Sequence, residues 1–160
     1  MQQIAKTNEQ SDVLPCLVIP IQGSRLILPN VTVAEIITFQ SPQAKDNLPS
    51  WVIGQIEWRG TLIPVISYEN FCGHKSGLMN QEARIAVINA PNGDKGALRF
   101  FGIVVQGIPS LVKLEAPAIQ ENLNTSLVKG QKLAVTLETG HAVVPDLDVI
   151  EDELLNIDWL

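Results

Sequence analysis

The hydrophobic positions of the chain fall in short apolar segments that turn signals separate. The segments are rich in Val and Ile, which is typical of β-strands, and motifs such as QGS, PNGD and ETG mark turns between them. The pattern predicts ten strands, at 16–21, 25–29, 31–39, 51–58, 61–67, 84–90, 98–106, 108–114, 131–137 and 141–145.

Several of the predicted strands contain a proline, among them Pro20, Pro64, Pro109 and Pro145. Because proline has no N–H to donate to a strand ladder, these strands must bulge, bend or lie at a sheet edge. Many short, bent strands favour small curved barrels over a flat sandwich. The predicted fold class is therefore all-β.

The C-terminal sequence PDLDVIEDELLNIDWL breaks the strand pattern and predicts one short helix. Asp148 and Glu151 have the spacing of a capping box at its start. One apolar stripe can form from residues at helical spacing, namely Val149, Ile150, Leu154 and Ile157. We predict a disordered tail at 1–13, one domain of two subdomains at 14–155, and a C-terminal end at 156–160.

Composition and charge exclude several classes of partner. The 160 residues carry a net charge of −6, and no basic stripe interrupts this acidity, so we expect no nucleic-acid binding. The first twelve residues are polar, and no apolar run has a membrane helix's length of about 20 residues, so we expect no membrane insertion. The two cysteines are far apart, which indicates a reduced, cytoplasmic protein. The 46% hydrophobic content favours contact with other proteins.

Candidate chemistry is sparse. Cys72 and His74 form a C-x-H pair, and Cys16 and His141 are the only other cysteine and histidine. These four are too scattered for a structural zinc site, and no nucleotide-binding or nucleophile motif is present. We therefore expect no catalytic residue, no metal and no cofactor. A Cys72-dependent enzyme stays open as a minor alternative.

The stretch EWRGTLIPVIS, at 57–67, places an Arg-Gly pair between two apolar runs. Gly60 can adopt positive φ, as a tight hairpin turn requires. Arg59 is then either an ordinary solvated turn residue or a guanidinium that the turn holds in a fixed direction. A guanidinium held in this way can bind a carboxylate or a carbonyl through two hydrogen bonds.

Four blocks of the sequence, in order, resemble the CheW-like domain of bacterial chemotaxis. CLVIPIQGSRLILPNVTVAEII resembles the family's opening strands and a V-x-E-I element at Val33, Glu35 and Ile36. LPSWVIGQIEWRGTLIPVISY resembles its G-x-x-x-x-R-G block, here with Gly54 and Arg59. RFFGIVVQGIPSLVKL and ETGHAVVPDLDVIEDELL resemble the third block and the closing hairpin with its helix.

The resemblance implies two packed five-stranded SH3-like β-barrels without catalytic activity. It implies an adaptor, localised at receptor arrays, that couples the cytoplasmic tip of a chemoreceptor to the regulatory domain of a CheA-type histidine kinase. An apolar groove between the subdomains takes the receptor tip, and barrel edges pair with the kinase. The partner-binding residues carried over from the family motifs are Val33, Glu35, Ile36, Gly54, Arg59 and Gly60.

Two positions depart from the family pattern. Ser67 and Gln106 stand where the family usually has Asp, which removes two charges. These changes suggest a divergent, ChpC-type member of a type IV pilus pathway that controls twitching motility.

Several assignments stay open at this level. Val33 and Ile36 are core residues or a groove wall, and Glu35 is solvated or salt-bridged. Trp51 and Trp58 are partner anchors or core residues. The alternative function is a stand-alone regulatory domain that binds a small ligand between the barrels.

Overall fold

The structure is a computed structural model, and it describes residues 13–115 and 120–159. Within these ranges the chain forms eleven strands, two short α-helices and a 3-10 turn. In chain order they are β1 (Val13–Ile21), β2 (Ser24–Pro29), the 3-10 turn (Asn30–Thr32), β3 (Val33–Thr38), β4 (Val52–Trp58), β5 (Thr61–Ile66), α1 (Tyr68–Phe71), β6 (Arg84–Asn89), β7 (Phe100–Val105), β8 (Ser110–Glu115), β9 (Gln120–Glu121), β10 (Gln131–Leu137), β11 (Gly140–Pro145) and α2 (Leu147–Leu155).

The strands form two sheets. The terminal sheet contains strands from both ends of the chain, in the order β8-β1-β2-β11-β10-β9, and the central sheet has the order β3-β6-β7-β5-β4. Neighbours are antiparallel except in the β2–β11 and β5–β7 pairs. The all-β, two-subdomain prediction is confirmed. The terminal sheet differs in having a sixth strand, because the two-residue β9 pairs with β10.

Among the described residues, three apolar cores hold the sheets together. The terminal core lies against one face of the terminal sheet and contains Cys16, Val18, Ile27, Val135, Leu137 and Ala142. The central core lies against one face of the central sheet and contains Ile56, Trp58, Ile63, Val65, Ile85, Val87 and Val104. The shared core lies between the sheets and takes residues from both, among them Ile19, Leu26, Leu28, Ile88, Phe101 and Ile103. Burying one such side chain contributes about 1.5–3 kcal/mol.

The shared core explains why the strands are apolar at nearly every position. In β2, Leu26 and Leu28 face the shared core while Ile27 between them faces the terminal core. In β6, Ile85 faces the central core and the next residue, Ala86, faces the shared core. Side chains alternate across a strand, so burial on both sides gives a continuous apolar run.

The positions of the prolines agree with the expected bends and edges. Pro20 lies beyond Val18, where the pairing of β1 with β8 ends. Pro64 comes just before Val65, where β5 begins to pair with β7. Pro145 ends β11 opposite a register shift in β10. Pro109 precedes β8 rather than lying within a strand.

The C-terminal helix is present, but the predicted capping box is wrong. The N-cap is Asp146, whose Oδ1 accepts from the Val149 N–H at 3.3 Å. Glu151 is only 1% exposed and accepts from the backbone and side-chain amides of Asn92, at 2.8 and 2.7 Å. It therefore ties α2 to the β6–β7 loop. The apolar stripe is confirmed, since Ile150, Leu154, Val149 and Ile157 all join the shared core.

Most strand boundaries differ from the predicted ones by one to three residues. β1 begins at Val13, one residue inside the predicted tail, while residues 1–12 lie outside the described residues. The predicted strand 31–39 is shorter, because a 3-10 turn occupies Asn30–Thr32. The four-residue helix α1 was not predicted, and the side chain of Ser67 caps it by accepting from the Asn70 N–H.

The Glu151 anchor gives a direct test of how α2 is held. Glu151→Ala leaves two amide donors of Asn92 without their acceptor, so we expect a loss of about 2–4 kcal/mol in unfolding free energy. Asp152→Ala, at the exposed neighbouring position, is the matched control and should change stability by less than about 0.5 kcal/mol. Equal urea midpoints for the two variants would contradict this role.

Candidate functional site

The Arg59–Gly60 pair forms a two-residue turn between β4 and β5. Trp58 pairs with Thr61 across the hairpin, and both turn residues have positive φ, 49° at Arg59 and 78° at Gly60. This is the type I′ geometry that matches strand twist and favours Asn-Gly. A side chain other than Asn, Asp or Gly costs about 1–2 kcal/mol in the left-handed region. Arg59 therefore occupies a strained position.

Three contacts orient the Arg59 side chain and its surroundings. Its Nη2 lies 3.2 Å from Glu35 Oε2, and its guanidinium lies 4.8 Å from the centre of the Trp58 ring. The same Glu35 oxygen accepts from Trp58 Nε1 at 2.9 Å. The Arg59 side chain is nevertheless 69% exposed. Most of its hydrogen-bonding capacity remains open to solvent.

These contacts also show how the central sheet closes. Glu35 lies on β3 and Trp58 on β4, and these strands are opposite edges of the central sheet. A hydrogen bond between the two edges requires the sheet to curl into a barrel. The Trp58 ring is 8% exposed and packs in the central core at 4.9 Å from Phe100. Glu35 therefore joins the barrel seam to the arginine turn.

Trp51 and Trp58, and the β3 residues Val33 and Ile36, all pack in or against the apolar cores. Trp51 is 8% exposed and packs edge-on to Phe71 in the shared core, so both tryptophans are core residues. Val33 and Ile36 are half-buried and pack against the shared core. Their partner-binding role stays a prediction.

Gly54 has a packing role of its own. A Cβ at this position would lie 2.4 Å from the backbone oxygen of Gln43. Gln43 bonds to Gln55 through both backbone groups, at 2.8 and 3.0 Å. Only glycine permits this close approach of the 40s segment to β4. A contact of Gly54 with a partner stays a prediction.

An apolar groove of about 450 Å³ lies between the two sheets. Its wall includes Val31, which is 82% exposed, together with Leu28, Ala90 and Leu147. Among the described residues that line it, neither Val33 nor Ile36 is present. Val31 was predicted to lie in a strand, so its place in the groove wall was missed. The turn-forming residues Pro29 and Asn30 directly before it were the available signal in the sequence.

Residues 15–153 match the sequence model of the CheW-like domain. The chain belongs to the CheW-like domain family. Among solved structures, it is similar to the scaffolding protein TtCheW from Thermoanaerobacter tengcongensis, with a TM-score of 0.71 and 15% identity, over 83% of this chain and 88% of that chain. A comparison with curated protein sequences finds no match. The predicted resemblance and the SH3-like fold of the subdomains are confirmed, and the family supports a scaffolding role in chemotaxis signalling.

Ser67 and Gln106, the two positions predicted to depart from the family pattern, both make internal contacts in this CheW-like domain. Ser67 is 6% exposed and caps α1, a task that Asp also performs. The Gln106 side chain accepts from the Asn80 N–H at 3.2 Å. The Gln106 backbone oxygen accepts from the Asn80 side-chain amide at 3.0 Å, and the Gln106 N–H donates to the Pro20 oxygen. Each residue serves an internal contact at its position.

The cysteines of the CheW-like domain are poorly suited to nucleophilic chemistry. Cys16 and Cys72 are buried, and burial raises the pKa of each thiol above its ordinary value, which disfavours the reactive thiolate. His74 is exposed. Across residues 13–115 and 120–159, no three His, Cys, Asp or Glu side chains converge as a metal site needs. No helix in these ranges has the length and apolar character to cross a bilayer.

The strained turn predicts different effects on stability for substitutions at Gly60 and at Arg59. Gly60→Ala should lower the unfolding free energy by about 1–2 kcal/mol, because Ala is strained at positive φ. Arg59→Asn should change it by less than about 0.5 kcal/mol, because relief of strain offsets the loss of an exposed ion pair and a cation–π contact. Urea denaturation measures both. A loss with Arg59→Asn as large as that with Gly60→Ala would contradict the strained-turn account.

Proposed function

We propose that this CheW-like domain is a non-enzymatic adaptor that couples a chemoreceptor tip to the regulatory domain of a CheA-type histidine kinase. The proposal places it in the cytoplasm at receptor arrays. The observation that carries it is the Arg59 turn, where an exposed guanidinium is held in a strained backbone conformation by Glu35 and Trp58. Strain of this kind is concentrated at functional sites.

The fixed guanidinium supports a contact with a carboxylate or carbonyl group of a partner. Glu35 takes one N–H of the five that the guanidinium offers, so the planar fork can still donate two parallel hydrogen bonds. Pre-orientation reduces the side-chain entropy that binding would otherwise cost. Arg59 is therefore our principal contact residue, while Glu35 and Gly60 position it.

The inter-sheet groove supports a receptor contact of a second kind. Its wall is mainly apolar and contains the exposed Val31. A helical tip with apolar residues on one face fits such a groove. Lys132 and Asp148 at its border offer charges of both signs for the polar face of that helix. Val33 and Ile36 pack against the shared core, whose Leu28 and Ala90 also line the groove.

An edge of the terminal sheet supports pairing with another barrel. β8 forms one edge of the terminal sheet and carries Leu111, which is 61% exposed. An unpaired strand edge with an exposed apolar side chain favours association with a second sheet. We assign this type of contact to the regulatory domain of the kinase.

The pathway is a further part of the proposal. Ser67 and Gln106 support a divergent, ChpC-type member that serves type IV pili and twitching motility. Their internal roles mean that the divergence need not remove a partner contact.

The adaptor function is tested by calorimetric titration of the protein with a receptor-tip helical hairpin and, separately, with a kinase regulatory domain. Arg59→Asn should weaken at least one complex by about 1–3 kcal/mol, the scale of a lost charged hydrogen bond. Arg59→Lys should recover only part of that loss, because lysine lacks the planar fork.

Arg25→Ala is the matched control for this titration. It changes the net charge by the same amount, but Arg25 lies in the terminal sheet and bonds to the His141 oxygen. Its binding should stay within about twofold of the wild type. If the Arg59→Asn variant binds both partners as tightly as the wild type does, the turn is not a contact site. If the wild type binds neither partner, the adaptor proposal is wrong.

A further inference from the structure

A second cavity, of about 280 Å³, opens beside the terminal sheet, where the β1–β2 turn meets α1. Ile21 and Val143 form apolar walls, while Ser24, Tyr68, Glu69 and His74 add polar groups. The cavity lies near the end of β5, whereas the arginine turn lies at its start. The six residues of β5 separate the two by about 20 Å, at about 3.3 Å per strand residue. None of the residues assigned to the adaptor function lines it.

The carboxylate of Glu69 is the unusual group in this cavity. Glu69 is 5% exposed, and its Oε2 accepts from the Gln22 N–H at 2.8 Å. Among the described residues, no hydrogen bond to its Oε1 is present, yet no side-chain oxygen there is both fully buried and without a partner. Oε1 therefore keeps some accessible surface, and Glu69 lines this cavity. Glu69 also borders a smaller cavity of about 50 Å³, which has room for water only.

The cavity leaves this carboxylate without a counter-charge. Among the described residues that line it, none is Lys or Arg, and His74 is the only other titratable side chain besides Tyr68. The Tyr68 hydroxyl is engaged in donating to the Gly130 oxygen at 2.7 Å. A buried carboxylate with a single hydrogen bond is costly, and a cation in the cavity offsets that cost.

We propose that this cavity binds a small organic cation, an ammonium or guanidinium group carried on a short aliphatic chain. The charged group pairs with Glu69, and the aliphatic part packs against Ile21 and Val143. The volume suits a chain of butyl size, since it lies at the small end of ligand pockets. A free amine and a Lys or Arg side chain of a partner share this chemistry. The site is independent of the adaptor function.

The test is a titration of the full chain with butylammonium, followed by amide NMR shifts. Shifts should concentrate at Gln22, Gly23, Tyr68 and Glu69. The uncharged isostere 1-butanol should bind about tenfold more weakly or worse, because it cannot form a charge-assisted pair. Glu69→Gln should lose that preference while still accepting from Gln22. Glu82→Gln, the same charge change at an exposed position, should retain it.

A second variant keeps the test informative if Glu69→Gln fails to fold. Ser24→Leu, at the exposed rim, narrows the cavity without altering Glu69 and should also weaken butylammonium. A capped Gly-Lys-Gly peptide distinguishes the sources: tighter binding than butylammonium assigns the site to a partner side chain, and equal or weaker binding assigns it to a free amine. Absence of shifts at the cavity, equal affinity for 1-butanol, or unchanged binding by folded Glu69→Gln would overturn the proposal.

Discussion

Ile19 and Leu26 of the terminal sheet pack against the central sheet's Phe101 and Ile103, and none of these side chains is more than 1% exposed. Each sheet also covers a core on its other face, so neither can shift against the other without exposing apolar surface. An apolar interface of this kind joins two subdomains into one body. The α2 helix completes it through Ile150 and Leu154.

The packed sheets fix the direction of the Arg59 side chain at the exposed hairpin. The central sheet curls until its edge strands meet, and Glu35 on β3 then accepts from Trp58 at the end of β4. The next residue, Arg59, reaches the same carboxylate oxygen from a left-handed backbone conformation. One carboxylate therefore closes the barrel seam and orients the guanidinium. In the proposed complex, a partner would bind a guanidinium that the fold has already oriented.

The strands were predictable because the shared core leaves a local signature. Burial on both faces turns Leu26, Ile27 and Leu28 into one apolar run. The strand β9 carries no such signal, since the two polar residues Gln120 and Glu121 pair through backbone alone. The helix α1 is too short for a periodic pattern, and its start depends on a single capping side chain.

The site was less predictable because its contacts join distant positions. The sequence indicated a tight turn at Arg59, but nothing local pairs it with Glu35 or requires Gly54 to pass against Gln43. At Glu151 a local pattern was present in the sequence, but it predicted the wrong contact. Its spacing from Asp148 fits a capping box, yet its carboxylate binds Asn92 in a loop far away in sequence. Local patterns cannot distinguish a cap from a long-range acceptor of the same residue type.

The central claim is that the fold orients Arg59 for a partner rather than for its own stability. A double-mutant cycle of Glu35→Gln and Arg59→Asn, measured once by urea unfolding and once by partner titration, tests it most directly. Glu35→Gln still accepts from Trp58, so the cycle isolates the ion pair. The account predicts a coupling energy below about 0.5 kcal/mol in unfolding, as for exposed pairs, and above about 1 kcal/mol in binding. Coupling in unfolding with none in binding would contradict it.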